Sequence, residues 1–129
     1  MVEAAKKWTM EHLPKERVLV CTCHGTISEA DTRALGLEAF AEAAKLGVRC
    51  ILVDDSEMTP QATTMQIYAT ARSLPSLGMQ PFHRVAVVFP PQREGAADLR
   101  FFESACRNAG NSLQLFSDVA SAMAWLEEA

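Results

Sequence analysis

The stretch Arg49-Cys-Ile-Leu-Val-Asp-Asp-Ser-Glu-Met-Thr-Pro-Gln-Ala-Thr-Thr-Met65 decides the fold of this chain. Residues 50–53 form a short, continuously apolar run, which predicts a strand buried on both faces. The turn-forming residues 54–56 are expected to end this strand in a solvated loop. Thr59 as N-cap and Pro60 as first helical residue then predict a helix that runs to about residue 73. Open α/β sheets commonly place functional residues between a strand end and a helix N-terminus, so we expect any site to lie here.

The remaining elements alternate along the chain in a way that predicts an α/β fold. Apolar patterning gives the order β-β-α-β-α-β-α-β-α, which indicates a mostly parallel mixed sheet of about five strands with about four helices. Residues 7–13 and 17–24 are joined by a short connection, which predicts an N-terminal antiparallel hairpin. The length of 129 residues suits one domain, and we expect residues 1–129 to form it.

The first helix carries clear start and stop signals. Ser28 with Asp31 three residues later predicts the N-terminal cap, and Gly47 predicts the C-cap. Gly36 inside the helix is interpreted as a point of close packing on the sheet. The predicted buried stripe consists of apolar residues spaced by three and four, with Phe40 beside them: Ala30, Ala34, Leu37, Ala41 and Ala44.

Composition argues against several classes of function. Hydrophobic residues make up 49% of the chain and charged residues 22%, which favours a packed core over disorder. The net charge of −4 argues against broad nucleic-acid binding, which needs a basic surface. No apolar run reaches the ~20 residues of a membrane span, and the N-terminus lacks the apolar core of a signal peptide. A cytoplasmic location is therefore expected.

The cysteines fit a reducing compartment. They lie in apolar or helical contexts and are interpreted as reduced, buried thiols that bind no metal: Cys21, Cys23, Cys50 and Cys106. The C-x-C arrangement at residues 21–23 points both thiols to one face of a strand. The paired C-x-x-C segments of zinc sites are absent from the sequence.

Motifs spread between residues 17 and 126 carry a resemblance to a known family. They are Gly25-Thr-Ile-Ser-Glu-Ala-Asp31, Ile51-Leu-Val-Asp54, Arg84-Val-Ala-Val-Val88, and Phe116-Ser-Asp118 followed by Ala122-Met-Ala-Trp-Leu126. In this order they resemble the SpoIIAA-like (STAS-like) family of small bacterial proteins, whose fold is shared with anti-sigma-factor antagonists. Some relatives are similar to the lipid-carrying CRAL-TRIO fold. The resemblance implies a STAS-like domain in which Trp125 covers the edge of the core with Leu126 beneath it.

The resemblance also implies a place for a regulatory site. In anti-sigma-factor antagonists an Asp-Ser-Ser-Gly motif begins the helix after the central strand, and its first Ser is phosphorylated. Residues 62–65, Ala-Thr-Thr-Met, align with that motif, so its Asp, Ser and Gly are missing here. Thr63 could still accept phosphate at a helix N-terminus.

No motif in the sequence supports catalysis. Glycine-rich phosphate loops and the G-x-S-x-G motif are absent. Asp54 and Asp55 resemble part of the Mg²⁺ site of response-regulator receivers, but the other acids of that site are missing, and a solvated turn is the simpler interpretation. The histidines, His12, His24 and His83, are predicted at strand edges with no nucleophile nearby. We therefore expect no enzyme activity, no cofactor and no metal.

Two further patterns in the sequence suggest binding surfaces. Arg93, Arg100 and Arg107 recur every seven residues and would form one basic stripe if their helix began early enough. That stripe would be either a solvated face or a docking surface for an acidic partner. Several apolar residues around the second helix are more than its core side requires, and part of them could line an apolar groove or a dimer interface: Met58, Met65, Leu77, Met79 and Phe82.

The sequence thus favours a non-catalytic regulatory or protein-interaction module. The expected binding residues belong to the loop and the helix start: Asp54, Asp55, Ser56, Thr59, Thr63 and Thr64. The expected partner is another protein, with a second copy of the chain as an alternative. A rival interpretation is a small carrier or sensor of an apolar, lipid-like ligand held in the groove. An enzyme of unknown reaction comes third.

Overall fold

A five-stranded mixed sheet forms the centre of the molecule. The computed structural model describes residues 7–128. The strands are β1 (Trp8–Leu13), β2 (Val18–Ser28), β3 (Cys50–Gln61), β4 (Arg84–Val88) and β5 (Leu113–Phe116). The helices are α1 (Glu29–Leu46), α2 (Thr64–Arg72), α3 (Leu74–Leu77), α4 (Ala96–Asn108) and α5 (Val119–Glu127). α2 ends close to the predicted residue 73, and α3 is an additional single turn that the sequence does not predict. Pro75 cannot donate the hydrogen bond that would continue α2 into α3.

The strands lie side by side in the order in which they occur in the sequence. β1 and β2 are antiparallel, with Trp8 opposite Cys23 and Leu13 opposite Val18. The other neighbouring strands are parallel, and helices connect them. The predicted α/β fold and the predicted N-terminal hairpin are therefore confirmed.

The two faces of the sheet pack against different helices. α1 to α4 cover one face, where Ile51 belongs to the larger core. α5 covers the other face, where Leu52 packs with Ala122 and Leu126 in a smaller core. Successive strand residues point to opposite faces, so the apolar run that opens β3 supplies both cores.

β3 is longer than the sequence predicts, and this moves the start of the next helix. Thr59 and Pro60 pair with β2 as strand residues, so their predicted position at a helix N-terminus is wrong. Proline fits here because the pairing with β4 ends at Asp54, which leaves this part of β3 without a neighbour on that side. The helix begins at Thr64 instead.

Both predicted ends of α1 are confirmed. The Ser28 hydroxyl accepts a hydrogen bond from the Asp31 N–H at 3.2 Å, and the Asp31 carboxylate accepts one from the Ser28 N–H at 2.9 Å. Gly47 ends the helix in the left-handed conformation that favours glycine, with φ of 72°. The local sequence signals therefore decide where this helix begins and ends.

The buried face of α1 differs from the predicted one. The buried residues are Leu35, Ala39, Phe40 and Ala43. The predicted alanine stripe lies on the exposed side, and its Leu37 is 53% exposed. Leu35 and Phe40 bury more apolar area than alanines can, so they decide which face turns inward. Gly36 packs against α3 and not against the sheet, since a Cβ there would lie 3.1 Å from Leu77 Cδ1.

Trp125 covers the edge of the smaller core, as predicted. Its half-buried ring lies 5.5 Å from the Phe116 ring, and the Arg84 guanidinium lies 4.0 Å from its centre. Leu126 is only 2% exposed in the core below it. These contacts fix α5 on the sheet.

The four cysteines are buried with free thiols. Cys21 and Cys23 belong to the same core, as the C-x-C spacing predicts. Burial raises the pKa of Cys21, Cys50 and Cys106, because a thiolate loses its hydration in the core. Over residues 7–128, no helix has the length and apolar character needed to cross a membrane.

Candidate functional site

A β-bulge interrupts the pairing of β2 with β3. Thr22 pairs with Asp54, but His24 pairs with Glu57, so β3 carries one extra residue. The Asp54 carboxylate accepts hydrogen bonds from the Ser56 N–H at 3.0 Å and from the Ser56 hydroxyl at 2.5 Å. The predicted turn at residues 54–56 is thus a bulge inside a continuous strand. Bulges often lie beside functional sites, where they redirect side chains.

Asp55 points from this bulge into the larger core. Strand alternation places it on the same face as Ile51 and Val53, and only 6% of it is exposed. The extra residue then returns Met58 to that same face. The prediction of a solvated turn is wrong for Asp55, because the strand continues past Asp54 and carries the carboxyl inward.

Asp55 and Cys23 form a buried acid–thiol pair. Burial is the main reason that the pKa of Asp55 is raised to about 7; the charge of Asp54 adds to this, and a hydrogen bond from the Cys23 thiol opposes it. Burial and the neighbouring Asp55 raise the pKa of Cys23 as well. The carboxyl therefore changes charge near neutral pH, whereas the thiol keeps its proton.

Arg93 holds the bulge from the outside. Its guanidinium donates hydrogen bonds to the backbone carbonyls of Ser56 at 2.6 Å and Met58 at 2.5 Å, and it lies 3.5 Å from that of Asp55. It also lies 5.4 Å from the centre of the Phe89 ring. One side chain thus fixes the part of β3 that departs from regular pairing.

The predicted basic stripe does not form. α4 begins at Ala96, so Arg93 precedes the helix, and only Arg100 and Arg107 lie on its exposed side. Gly95 occupies the N-cap position in a left-handed conformation, with φ of 98°, and this delays the start of the helix.

Two adjoining cavities lie behind the bulge. The outer cavity measures about 80 Å³ and the inner one about 90 Å³. Both are lined by Ile27, Thr32, Asp55, Met58 and Phe102. The outer cavity is further lined by α2 and α4, and the inner one by α1 and the central strands. Sequence reasoning missed Ile27, Thr32 and Phe102, because their positions on separate elements give no local signal.

The predicted apolar groove does not exist as one surface. Met58 and Met79 line the inner cavity, and Leu77 is buried against α1. Met65 is 82% exposed on α2, and Phe82 is 52% exposed beside His83. Of the five residues, the structure brings together only Met58 and Met79 in one cavity.

Thr63 caps the N-terminus of α2. Its hydroxyl accepts a hydrogen bond from the Gln66 N–H at 3.1 Å, and its own N–H donates to the Gln66 side chain at 2.9 Å. Thr63, Thr64 and Thr59 are exposed, whereas Asp55 is buried. The predicted binding residues therefore divide into a bulge that faces the core and a helix start that faces solvent.

α2 presents a partly apolar strip to solvent. Met65 and Tyr68 lie three residues apart on one helix face, and Tyr68 is 49% exposed. Arg72 continues this face, with its guanidinium 5.7 Å from the centre of the Tyr68 ring and a hydrogen bond of 3.2 Å to the Tyr68 hydroxyl. We call Met65, Tyr68 and Arg72 the α2 strip.

His83 is buried and does not lie at an exposed strand edge. Its Nδ1 accepts a hydrogen bond from the Gln80 N–H at 2.8 Å, and its ring packs between Phe40 and Phe82. Burial lowers its pKa, because the charged imidazolium would lose hydration. In the described part of the chain, no three His, Cys, Asp or Glu side chains are grouped so that they could hold a metal.

Comparison with solved structures assigns the chain a SpoIIAA-like fold. It is similar to an uncharacterised protein of the DUF3478 family from Shewanella loihica PV-4, which is described as having that fold. The two share 20% sequence identity over 98% of each chain, with a TM-score of 0.53. A similarity at this identity shows the fold alone. The fold predicted from the sequence motifs is confirmed.

Weaker similarities are found to SpoIIAA itself. Its phosphorylated form from Bacillus shares 10% identity over 88% of this chain and 95% of that one, with a TM-score of 0.48. Its unphosphorylated form, an anti-sigma factor antagonist, shares 12% identity over 88% of this chain and 91% of that one, with a TM-score of 0.47. No family model matches the chain, and no curated protein sequence matches it significantly.

Proposed function

We propose that the protein is a cytoplasmic, non-catalytic interaction module that binds a protein partner through the α2 strip and the helix start before it. The observation that carries this proposal is the exposure of Met65, 82%, two residues after the N-cap Thr63. Single exposed apolar residues are common on protein surfaces. Here, however, Met65 and the amphipathic Tyr68 occupy one face, and Met and Tyr are favoured at binding surfaces.

Electrostatics favour an acidic group on the partner. The first turn of α2 contains no acidic side chain, and its N–H groups at residues 64 and 65 lack intrahelical acceptors. Arg72 adds a positive charge at the other end of the strip. A partner carboxylate near Thr64 would be stabilised by the positive end of the helix dipole.

The reactive side chains are engaged in ways that support binding and not chemistry. The Cys23 thiol is held protonated by burial beside Asp55, and a protonated thiol is a poor nucleophile. The Ser56 hydroxyl donates to the Asp54 carboxylate. His83 uses Nδ1 to accept a backbone N–H inside the core.

Thr63 is proposed as the residue that regulates binding. A phosphate there would add about −1.5 to −2 charges at a helix N-terminus, which stabilises the helix but repels an acidic partner. We expect Thr63→Glu to weaken partner binding roughly tenfold, about 1.4 kcal/mol. Thr63→Ala should lower stability by about 1 kcal/mol through the lost cap while it keeps most of the affinity. Affinity is measured by titration with the partner recovered from source cells.

Ala124→Glu is the control for added negative charge, because Ala124 is exposed on α5, which covers the other face of the sheet. It should bind the partner like the parent, since its charge lies away from the α2 strip. Parent-like affinity of both Thr63 variants, with the fold intact, would show that Thr63 does not regulate binding.

A second candidate function is a carrier or sensor of a small apolar ligand. It is favoured by the two adjoining cavities, both of which contact the adaptable side chain of Met58. Native mass spectrometry of freshly purified protein tests this candidate. A co-purifying small molecule would support the carrier, whereas a bare chain would favour the interaction module alone.

A further inference from the structure

We propose that the two cavities together bind a small hydrophobic primary amine, with its ammonium group against Asp55 at their common boundary and its apolar body in their combined space. This inference rests on the second candidate function and adds the chemical class of the ligand. Three observations support it: the position of the Asp55 carboxyl, the sign of the charges around that carboxyl, and the size of the two cavities.

The first observation is the position of the Asp55 carboxyl. Asp55 lines both cavities and is 6% exposed, so it lies at their common boundary. The Cys23 thiol is a weak hydrogen-bond donor to it, whereas an ionised carboxylate offers about four acceptor positions. A buried carboxylate is costly unless it is paired. A ligand that brings a positive charge and N–H donors would supply that pairing.

The second observation is the sign of the surrounding charge. The ionisable residues that line the outer cavity are Glu29, Asp55 and Asp98, and no lysine, arginine or histidine is among its lining residues. Glu29 is also within 3.5 Å of the Arg33 side chain. Asp54, next to Asp55 on β3, adds a further negative charge nearby. This surface attracts a cation and repels a fatty acid or a phosphate.

Arg93 is a cation that contacts the bulge, and its geometry explains why it does not pair with the Asp55 carboxylate. Its guanidinium is directed to the backbone carbonyls of Ser56 and Met58. It thus supports the wall of the site from outside and leaves the carboxylate available to a ligand.

The third observation is the size and character of the space. The volumes of about 80 and 90 Å³ together are close to the ~150 Å³ of an engineered apolar cavity that binds benzene in another protein. The inner cavity is walled mainly by apolar side chains, among them Leu35, Phe40, Ile51 and Met79. A single ring, or a short branched chain, fits this space.

The test compares three probes of one shape by calorimetry on the full chain at about pH 8: benzylamine, benzyl alcohol and benzoate. We expect benzylamine to bind most tightly and Asp55→Asn to weaken it roughly tenfold or more, since an ion pair to a buried charge is lost. Asp55→Asn should leave benzyl alcohol binding within about twofold of the parent. Glu57→Gln, an exposed change on the same strand, should bind benzylamine like the parent.

A second measurement on the parent chain does not depend on any variant. At about pH 6.5, where Asp55 is largely protonated, benzylamine binding should release a proton, which is detected by repeating the titration in buffers of different ionisation enthalpy. Benzyl alcohol should release none. Equal affinities for benzylamine and benzyl alcohol, or a preference for benzoate, would refute the assignment of an amine as the ligand. Such a result would still show that the cavities bind a small ligand. Binding of none of the probes at millimolar concentration would refute both the inference and the carrier function.

Discussion

Between about pH 4 and pH 8, the parent should lose about 4 kcal/mol of its free energy of unfolding because of Asp55. The Asp55→Asn variant should not show this loss. The pKa of Asp55 is raised to about 7 in the folded protein, whereas an aspartate in an unfolded chain has a pKa of about 3.9. Between these values the folded state holds a proton that the unfolded state has lost. The contribution of Asp55 to the free energy of unfolding is therefore complete below about pH 3.9 and is lost as the pH rises through about 7.

The quantity to measure is the difference in free energy of unfolding between the parent and Asp55→Asn, because other groups titrate as well. The pKa of the buried His83 is lowered, so its contribution to stability falls as the pH decreases, opposite to that of Asp55. Denaturant unfolding of the parent and Asp55→Asn across this pH range isolates Asp55. Glu57→Gln provides the exposed control on β3. Parallel curves for the parent and Asp55→Asn would contradict the buried, protonated state.

Replacing Arg93 with alanine should destabilise the protein by about 3 kcal/mol. The substitution removes charge-assisted hydrogen bonds to the carbonyls of Ser56 and Met58, and it leaves those acceptors partly buried without their donor. Arg93→Lys should recover part of the loss, since lysine keeps the charge but not the planar group. The free energy of unfolding is measured by denaturant titration.

Arg100→Ala is the matched control for that experiment. Arg100 is exposed on α4, one of the positions of the basic stripe predicted from the sequence, and its replacement should change stability by no more than about 0.5 kcal/mol. If Arg93→Ala were as mild as Arg100→Ala, the bulge would not depend on Arg93.

The parts of the fold that the sequence predicts are those with local physical causes. The short, continuous apolar run that begins at Cys50 predicts a strand buried on both faces, and it lies between the two cores. Ser28 with Asp31, and Gly47, decide the ends of α1 through bonds within a few residues. The same holds for the hairpin, where a short connection brings β1 and β2 together.

The candidate site could be predicted only in part, because its geometry depends on distant residues. Whether Pro60 starts a helix or extends a strand depends on where β4 ends. The sequence around Pro60 does not indicate where β4 ends. Arg93 finds its acceptors more than thirty residues earlier in the chain, at separations of 35 to 38 residues. Asp55 resembles a turn residue by type, and only the continuation of β3 past Asp54 shows that it enters the core.

Capture of a partner from source cells shows whether the α2 strip is the binding surface. The captured proteins are quantified for the parent, for the double variant Met65→Glu with Tyr68→Glu, and for Val119→Glu, an exposed apolar position on α5 across the sheet. If the α2 strip is the binding surface, the parent and Val119→Glu retain one protein equally, and the α2 double variant retains roughly tenfold less of it. Equal retention of that protein by the folded double variant, or its loss from Val119→Glu instead, would contradict the claim.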